Sequence, residues 1–157
     1  MPRILDEYDR KILKELITDG RLTNNQLAEK IGLSKSPCWQ RVKRLEEEGY
    51  IQGYTAILDQ TMLGLSEVVM VEVTLERHDD VMLAEFEKAI SAMPEILEAY
   101  LTTGEYDYFL KVAIDGTRSY EEFLRKKLYT IPGVRHTRSC FSLGCLKKSY
   151  AVVPDPG

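Results

Sequence analysis

The chain has 157 residues, of which 44 % are hydrophobic, and its formal net charge is −4. This length suits one ordinary domain or two small ones, and no run approaches the roughly 20 apolar residues of a membrane span. Three cysteines at irregular spacing and two histidines give neither a disulfide framework nor a metal-ligand pattern, and the N-terminus lacks a signal-peptide core. We therefore expect a cytoplasmic protein with no metal or other cofactor.

The acidic total hides an uneven charge distribution. Residues 1–50 carry ten Lys and Arg against nine Asp and Glu, whereas the remainder carries eleven against sixteen. Because the sign of a local patch matters more than the total, the N-terminal part remains a candidate for binding nucleic acid.

Three short helices are predicted in the first fifty residues. Apolar residues at helical spacing over residues 6–19 predict a first helix that ends at Gly20. Thr23 and Gln26 form a capping box that opens a second helix, whose buried residues are predicted to be Leu27, Ala28 and Ile31.

A tight turn separates the second helix from the third. Gly32 suits the left-handed conformation at a helix end, and Ser34 or Ser36, with Pro37, restarts the chain as a helix. Two helices joined in this way are typical of a helix-turn-helix.

The third helix is predicted to have one buried and one cationic side. Its core-facing residues are Cys38, Val42 and Leu45. Residues 34–45 contain four cations and no acid, whereas three glutamates follow at once. The predicted DNA-binding residues are Lys35, Ser36, Trp39, Gln40, Arg41, Lys43 and Arg44, with Gln40 suited to adenine and Lys43 or Arg44 to guanine or phosphate. Trp39 could equally be a packing residue, and Arg41 suits a phosphate or structural role better than base reading.

Residues 50–57 are rich in strand formers and predict a short strand or wing, and residues 59–64 suit a linker. The predicted domains are residues 1–56, which bind DNA, a linker over residues 57–66, and a second domain over residues 67–157.

The second domain shows the order strand, helix, strand, strand, helix, strand. Alternating apolar residues from Val68 predict the first strand, and Asp79 or Asp80 can cap the first helix. Residues 96–103 and 106–114 read as strands around Gly104, and Ser119 is predicted to open the second helix with a capping box. Residues 134–143 supply another strand, and residues 149–153 a short terminal one. This order predicts a ferredoxin-like sandwich whose second sheet face is partly buried against another copy of the chain.

Several motifs then resemble one known family. They are Leu5 to Leu13, Asp19-Gly20-Arg21, Gly32-Leu33-Ser34, Arg41 to Glu46, Gly49-Tyr50-Ile51, Thr103 to Tyr108 and Pro132-Gly133-Val134. In this order they resemble the Lrp/AsnC family of feast/famine transcription regulators over nearly the whole chain. The resemblance implies an α+β protein with an N-terminal winged helix-turn-helix and a C-terminal ferredoxin-like βαββαβ (RAM/ACT-like) domain. It also implies homodimers that assemble to octamers, double-stranded DNA as partner, and no enzymatic activity or membrane partner.

The family also implies an amino-acid effector between dimers. The matching residues are Thr102, Thr103, Gly104, Tyr106, Asp107 and Tyr108 of one loop, with Thr137, Ser139 and Phe141 of the last strand, from a neighbour. Asp107 can accept an ammonium group and the hydroxyls can meet a carboxylate, while Gly104 lets the backbone approach closely. The apolar Cys140 and Phe141 suggest leucine, methionine or a similar effector. Alternatively, Gly104 marks a plain turn, and Tyr106 and Tyr108 are packing residues.

Three other classes of function are alternatives to a DNA-binding regulator. One is a sensor or assembly module without DNA binding, such as an amino-acid-responsive partner of an enzyme. Another is RNA binding on the open sheet, which Glu72 and Glu76 disfavour because that face needs exposed aromatic residues. An enzyme is disfavoured because the sequence shows no triad-like motif and no Gly-rich phosphate loop.

Overall fold

The computed structural model describes residues 4–154, which divide into two compact units, residues 4–57 with 147–154, and residues 58–146. The predicted second domain extends to residue 157, but residues 147–154 cluster with the first unit instead. There, the carbonyl of Pro154 accepts a hydrogen bond of 3.2 Å from Arg10 Nε. Residues 1–3 and 155–157 of the predicted domains lie outside the described residues. Over residues 4–154, no helix is long and apolar enough to cross a membrane.

The first unit contains the three predicted helices, α1 (Glu7–Thr18), α2 (Asn24–Ile31) and α3 (Lys35–Glu47). The capping box at Thr23 is confirmed, since Thr23 accepts from the N–H of Gln26 and the Gln26 side chain accepts from Thr23. Gly32 adopts the left-handed conformation with φ 73°, as predicted. The core of this unit consists of Ile12, Leu27, Ala28, Ile31, Cys38 and Leu45.

The start of α3 follows the prediction in position but not in bonding. Ser34 is the N-cap residue, yet its side chain makes no capping hydrogen bond. Pro37 lies in the first turn, where backbone N–H groups have no intrahelical partner, so its missing N–H costs little. Cys38 and Leu45 are buried, and Val42 packs partly against them, as the predicted core side requires.

Of the short strand or wing predicted over residues 50–57, the strand does not form. This segment is irregular, because no other segment within residues 4–154 pairs with it. Strand-forming residues alone therefore do not produce a strand here. Tyr54 instead donates a hydrogen bond of 3.0 Å to Glu46 on α3.

The second unit has the predicted ferredoxin-like order. Its elements are β1 (Glu67–Leu75), α4 (Asp80–Ser91), β2 (Ile96–Leu101), β3 (Tyr108–Ile114), α5 (Thr117–Lys126), a 3-10 turn (Leu128–Thr130) and β4 (Val134–Phe141). The strands form one antiparallel sheet in the order β2-β3-β1-β4. Asp79 caps α4 by accepting from the N–H of Met82, as expected.

The sheet has one face under the helices and one open face. Val69, Val71 and Val73 of β1 are fully buried and pack with Phe86 of α4 and Phe123 of α5. The intervening side chains of β1 are only half-buried, because they lie on the open face. The alternation in the sequence therefore identified the core side of the strand.

Two predicted details of the second half are wrong. Helix α5 begins at Thr117 rather than after Ser119, because the carbonyl of Gly116 already accepts from the N–H of Tyr120 and the Ser119 hydroxyl donates to Asp115. The terminal strand over residues 149–153 does not form, and within the described chain the last strand is β4, which ends at Phe141.

Candidate DNA interface and effector site

The outward side of α3 presents polar and cationic side chains. Lys35, Ser36, Gln40 and Lys43 are all exposed, as the sequence predicts. The opposite side holds the helix against the core through Cys38 and Leu45. An α-helix with a buried stripe and a free polar side can enter the major groove, where amide and ammonium groups meet base edges or phosphates.

The side chain of Trp39 is partly packed and partly exposed. Its side chain lines a shallow groove of about 350 Å³ together with Leu16, Leu22 and Val42. It nevertheless remains 54 % exposed. One part of the indole therefore packs against the unit, and another part is available to a partner.

Arg41 and Arg44 lie in an ion-pair cluster instead of on the outward side. Arg41 Nη1 contacts Asp6 Oδ2 at 2.6 Å and Asp9 Oδ1 at 2.8 Å, and Arg44 Nη2 contacts Asp9 Oδ1 at 2.6 Å. Both arginine side chains are only 25 % exposed. This placement agrees with a structural role for Arg41, but it does not match the expectation that Arg44 meets guanine or phosphate.

The cluster changes the charge that α3 offers to a partner. Of the four cations in residues 34–45, Arg41 and Arg44 are paired with carboxylates on α1 and at its cap. Lys35 and Lys43 remain as the outward cations, with Lys43 Nζ a distant 4.0 Å from Glu46. The sequence overestimated the exposed positive charge because the acidic partners lie more than thirty residues away.

Asp9 is the residue of this site that sequence reasoning missed. Its side chain is 1 % exposed, and it also serves as the third residue of a reciprocal capping box with Asp6. The spacing of an acid at the N-cap and an acid three residues later was a readable signal for the cap. Nothing in the local pattern indicated the two arginines.

The predicted effector loop connects β2 to β3, and hydrogen bonds join its two ends. The N–H of Thr102 donates to the carbonyl of Asp107 at 2.8 Å, and the Thr102 hydroxyl donates to the carbonyl of Tyr106 at 2.7 Å. Gly104 has φ 133°, a conformation that favours glycine, and a Cβ there would meet nothing within 4 Å. The loop therefore leaves open space at Gly104, and the exposed Thr103 stands beside it.

The carboxylate of Asp107 already has two partners. Oδ2 accepts the N–H of Leu75 at 2.7 Å, and Oδ1 lies 2.6 Å from His78 Nε2. His78 is itself exposed, and no local pattern in the sequence indicates this pair. An incoming ammonium group would share Oδ1 with the imidazole or displace it.

The two predicted tyrosines separate into different environments. Tyr108 is buried beneath α4, where its ring lies 4.5 Å from that of Phe86 and its hydroxyl donates to Glu87 at 3.1 Å. Burial and the neighbouring Glu87 raise the pKa of Tyr108 to about 12. Tyr108 is thus a packing residue, whereas Tyr106 is half-buried with its ring 6.1 Å from that of Phe109.

The predicted residues of β4 contact α5 and the 3-10 turn that follows it. The hydroxyl of Thr137 lies 2.8 Å from that of Tyr129, and that of Ser139 lies 2.5 Å from that of Tyr120. Phe141 meets the Tyr120 ring edge to face at 5.4 Å. Since β1 and β3 separate β4 from β2, one copy of the chain does not unite these residues with the loop at Gly104.

Within residues 4–154, no group of His, Cys, Asp or Glu side chains could hold a metal ion. Cys38 is a buried thiol whose pKa is raised by burial, and Cys140 and Cys145 are exposed thiols.

Comparison with protein families identifies both halves of the chain. A winged helix-turn-helix DNA-binding model matches residues 5–52, and an Lrp/AsnC ligand-binding-domain model matches residues 68–152. The leucine-responsive regulatory protein of Escherichia coli is 41 % identical over 149 residues, which cover 95 % of this chain and 91 % of that protein.

Solved structures agree with these matches over the whole fold. A Neisseria meningitidis transcriptional regulator in complex with L-methionine superposes with a TM-score of 0.91 at 32 % identity, covering 96 % of this chain and 97 % of that one. An AsnC family transcriptional regulator from Agrobacterium tumefaciens gives a TM-score of 0.90 at 32 % identity, covering 95 % and 97 %.

Proposed function

This chain belongs to the Lrp/AsnC family of transcriptional regulators, and from that premise we propose that α3 reads DNA sequence while the second unit senses an apolar amino acid. The family assignment makes it a DNA-binding regulator with an amino-acid ligand-binding domain, and not an enzyme. A cytoplasmic location belongs to the proposal, because the regulator must reach chromosomal DNA.

The outward side of α3 is the observation that carries the DNA part of the proposal. Lys35, Ser36, Gln40 and Lys43 are exposed together on a helix whose other side is buried. Gln40 has the amide pair that recognises adenine, and Lys43 suits guanine or phosphate. Trp39 adds an exposed aromatic edge beside them. Arg41 and Arg44 hold α3 in place through their contacts with Asp9.

Replacing Lys43 with Ala tests this assignment. We expect weaker binding to a duplex that the native protein selects from a random pool, and a shallower dependence of the binding constant on salt, by about 0.9 in log–log slope if Lys43 meets one phosphate. The matched control is Lys30→Ala, because the Lys30 and Lys43 side chains are both 51 % exposed and each faces a glutamate. Equal effects of the two replacements in filter-binding or anisotropy titrations would refute the role of Lys43.

The effector part of the proposal rests on the loop at Gly104 and Asp107. An α-amino acid offers an ammonium group for Asp107 Oδ1 and a carboxylate for the exposed Thr103 or nearby backbone N–H groups. The names of the relatives favour leucine or methionine, since one is called leucine-responsive and another was crystallised with L-methionine. Thr137, Ser139 and Phe141 would complete the cleft from a second copy.

Isothermal calorimetry with leucine, methionine and the other standard amino acids tests the effector site. Asp107→Asn keeps an acceptor for the N–H of Leu75 but removes the charge, so we expect binding to weaken about tenfold or more. His78→Ala is the matched comparison, because it frees Oδ1 and should tighten binding severalfold. Native-like affinity in Asp107→Asn would show that the ammonium group binds elsewhere.

Assembly of copies completes the proposal. The open face of the sheet carries Met70 and Phe109, both only half-buried in a single chain, and Tyr100, which is exposed. A second copy would cover these residues, and we propose a homodimer that assembles further to an octamer. Sedimentation velocity with and without leucine or methionine measures both steps, and a monomer at all concentrations would rule the assembly out.

A further inference from the structure

We propose that Asp9 is a specificity-determining positioning residue, which fixes α3 through Arg41 and Arg44 and withholds their charge from the phosphates of DNA. The inference rests on the proposed reading of DNA by α3. It concerns a side chain that is remote from the outward side of that helix and is almost completely buried.

All the hydrogen bonds that the structure shows for the Asp9 carboxylate come from members of the ion-pair cluster. Oδ1 accepts from Arg41 Nη1 at 2.8 Å and from Arg44 Nη2 at 2.6 Å, while Oδ2 accepts from the N–H of Asp6 at 3.2 Å. The backbone N–H of Asp9 in turn donates to Asp6 Oδ1 at 3.0 Å. The first turn of α1 is therefore a fixed platform for the carboxylate.

Two contacts three residues apart fix the rotation of α3. Arg41 and Arg44 lie on the same side of the helix, one turn apart. Because both reach a single oxygen of Asp9, turning α3 about its axis would lengthen at least one of the two contacts. The ring of Tyr8 adds a further support, 5.5 Å from the Arg41 guanidinium. The direction in which Gln40 and Lys43 point is thus set by contacts on the neighbouring side of α3.

The cluster is also balanced in charge. Asp6 and Asp9 carry two negative charges against the two positive charges of Arg41 and Arg44, and the next acid, Glu48, lies 3.9 Å from Arg44 Nε. A guanidinium that is held by a carboxylate partner does not neutralise a phosphate, so it displaces no counterions from the DNA. Non-specific affinity and its salt dependence come from cations that neutralise phosphates. By pairing with the two arginines, Asp9 therefore increases the fraction of the DNA-binding free energy that comes from contacts with bases.

Arg44 is held in this cluster at a cost that a purely packing role does not explain. Its Nε is buried and has no hydrogen-bond partner among residues 4–154. A buried, unsatisfied donor is unfavourable, and an aliphatic side chain would avoid it. Retaining a guanidinium here is consistent with a need to fix α3 by a directional contact.

The decisive measurement is the salt dependence of binding by the full-length protein. The probes are a duplex that the native protein selects from a random pool and a shuffled duplex of the same composition. Asp9→Asn leaves one guanidinium without a counter-charge, so we expect a slope steeper by about 0.9 per protomer if it meets one phosphate. Tighter binding to the shuffled duplex and a smaller ratio of selected to shuffled affinity should accompany it.

Two further variants separate charge release from damage to the fold. Adding Arg44→Gln to Asp9→Asn restores the charge balance, so the slope on the shuffled duplex should return toward the native value. Glu15→Gln changes the net charge equally at a pair with Lys30 outside the cluster, and should leave the slope unchanged. If Asp9→Asn does not fold, Asp6→Asn replaces it, because Asn also caps helices well and Asp6 is more exposed.

The possible results have distinct meanings. A folded Asp9→Asn or Asp6→Asn protein with a native slope, or affinity that falls equally on both duplexes, would overturn the inference. So would a slope change of the same size in Glu15→Gln. If the native protein does not distinguish the selected from the shuffled duplex, the proposed reading of sequence fails instead, while the slope comparison still tests charge withholding.

Discussion

At the scale of single residues, long-range partners decide what a charged side chain can do. Lys43 and Arg44 are neighbours in the sequence, yet Lys43 faces outward and Arg44 is paired with the buried Asp9. The sequence predicts Arg44 on the outward side, but helical spacing leaves it at the boundary, where a partner on α1 determines the direction of its side chain. Asp107 shows the same limit, since its partner His78 lies in another loop.

Glycine positions allow a sharp test at this scale. Gly64 and Gly133 both have φ 84°, but a Cβ at Gly133 would lie 2.3 Å from Met82 Sδ, while one at Gly64 would meet nothing within 4 Å. We expect Gly64→Ala to lower the free energy of unfolding of the second unit by about 1–2 kcal/mol through backbone strain alone. Gly133→Ala should cost more, because Met82 must also move.

Urea titrations of the two variants, followed by circular dichroism, measure this difference. Equal losses would mean that Met82 moves away without cost.

At the scale of elements, local signals predicted where helices begin and long-range pairing determined which segments became strands. The caps at Thr23 and Asp79 were readable because both partners lie within three residues. The alternation of β1 also identified its core side, because this pattern is local in the sequence too. The segments over residues 50–57 and 149–153 contain strand formers but find no pairing partner among residues 4–154, and no local pattern shows that.

The contact between β3 and α4 gives a pH dependence at this scale. The pKa of Tyr108 is raised to about 12, first by burial and then by its hydrogen bond to Glu87. Because the folded-state value lies above the usual value of about 10, the stabilisation is complete below pH 10 and is lost as the pH rises from about 10 to about 12.

Denaturant unfolding of the second unit at pH 9 and pH 11.5 checks this expectation. A shift of one pKa unit corresponds to more than about 1 kcal/mol of stability, which such titrations can measure. The alkaline loss should be smaller in Tyr108→Phe than in the native protein. An identical loss in both would assign it to other groups, such as Tyr120, whose pKa is also raised by burial.

At the scale of the whole molecule, the chain has two separate cores. One contains Ile12, Leu27 and Leu45, and the other is built around Phe86 and the valines of β1. The order of elements predicted this division and the ferredoxin-like topology. It did not predict that residues 147–154 cluster with the first unit, because that segment has no periodicity to indicate a partner.

Two cores predict two separable unfolding transitions. Leu45→Ala should lower the stability of the first unit by about 2–5 kcal/mol, and Phe86→Ala that of the second by about 3–5 kcal/mol, because each leaves a cavity in a fully buried site. Differential scanning calorimetry should show that each replacement shifts mainly one transition. A single transition that moves equally with both would show that the units unfold together.

Chemical labelling of the buried thiol of Cys38 can report the opening of the first unit. Cys140 and Cys145 are open to solvent, whereas Cys38 lies at 0 % exposure on the inner side of α3. A maleimide reagent should therefore label the outer two at once and Cys38 only when the helices transiently separate. The lag before the third label measures how often the DNA-reading unit opens, and a bound duplex should lengthen it without any engineered probe.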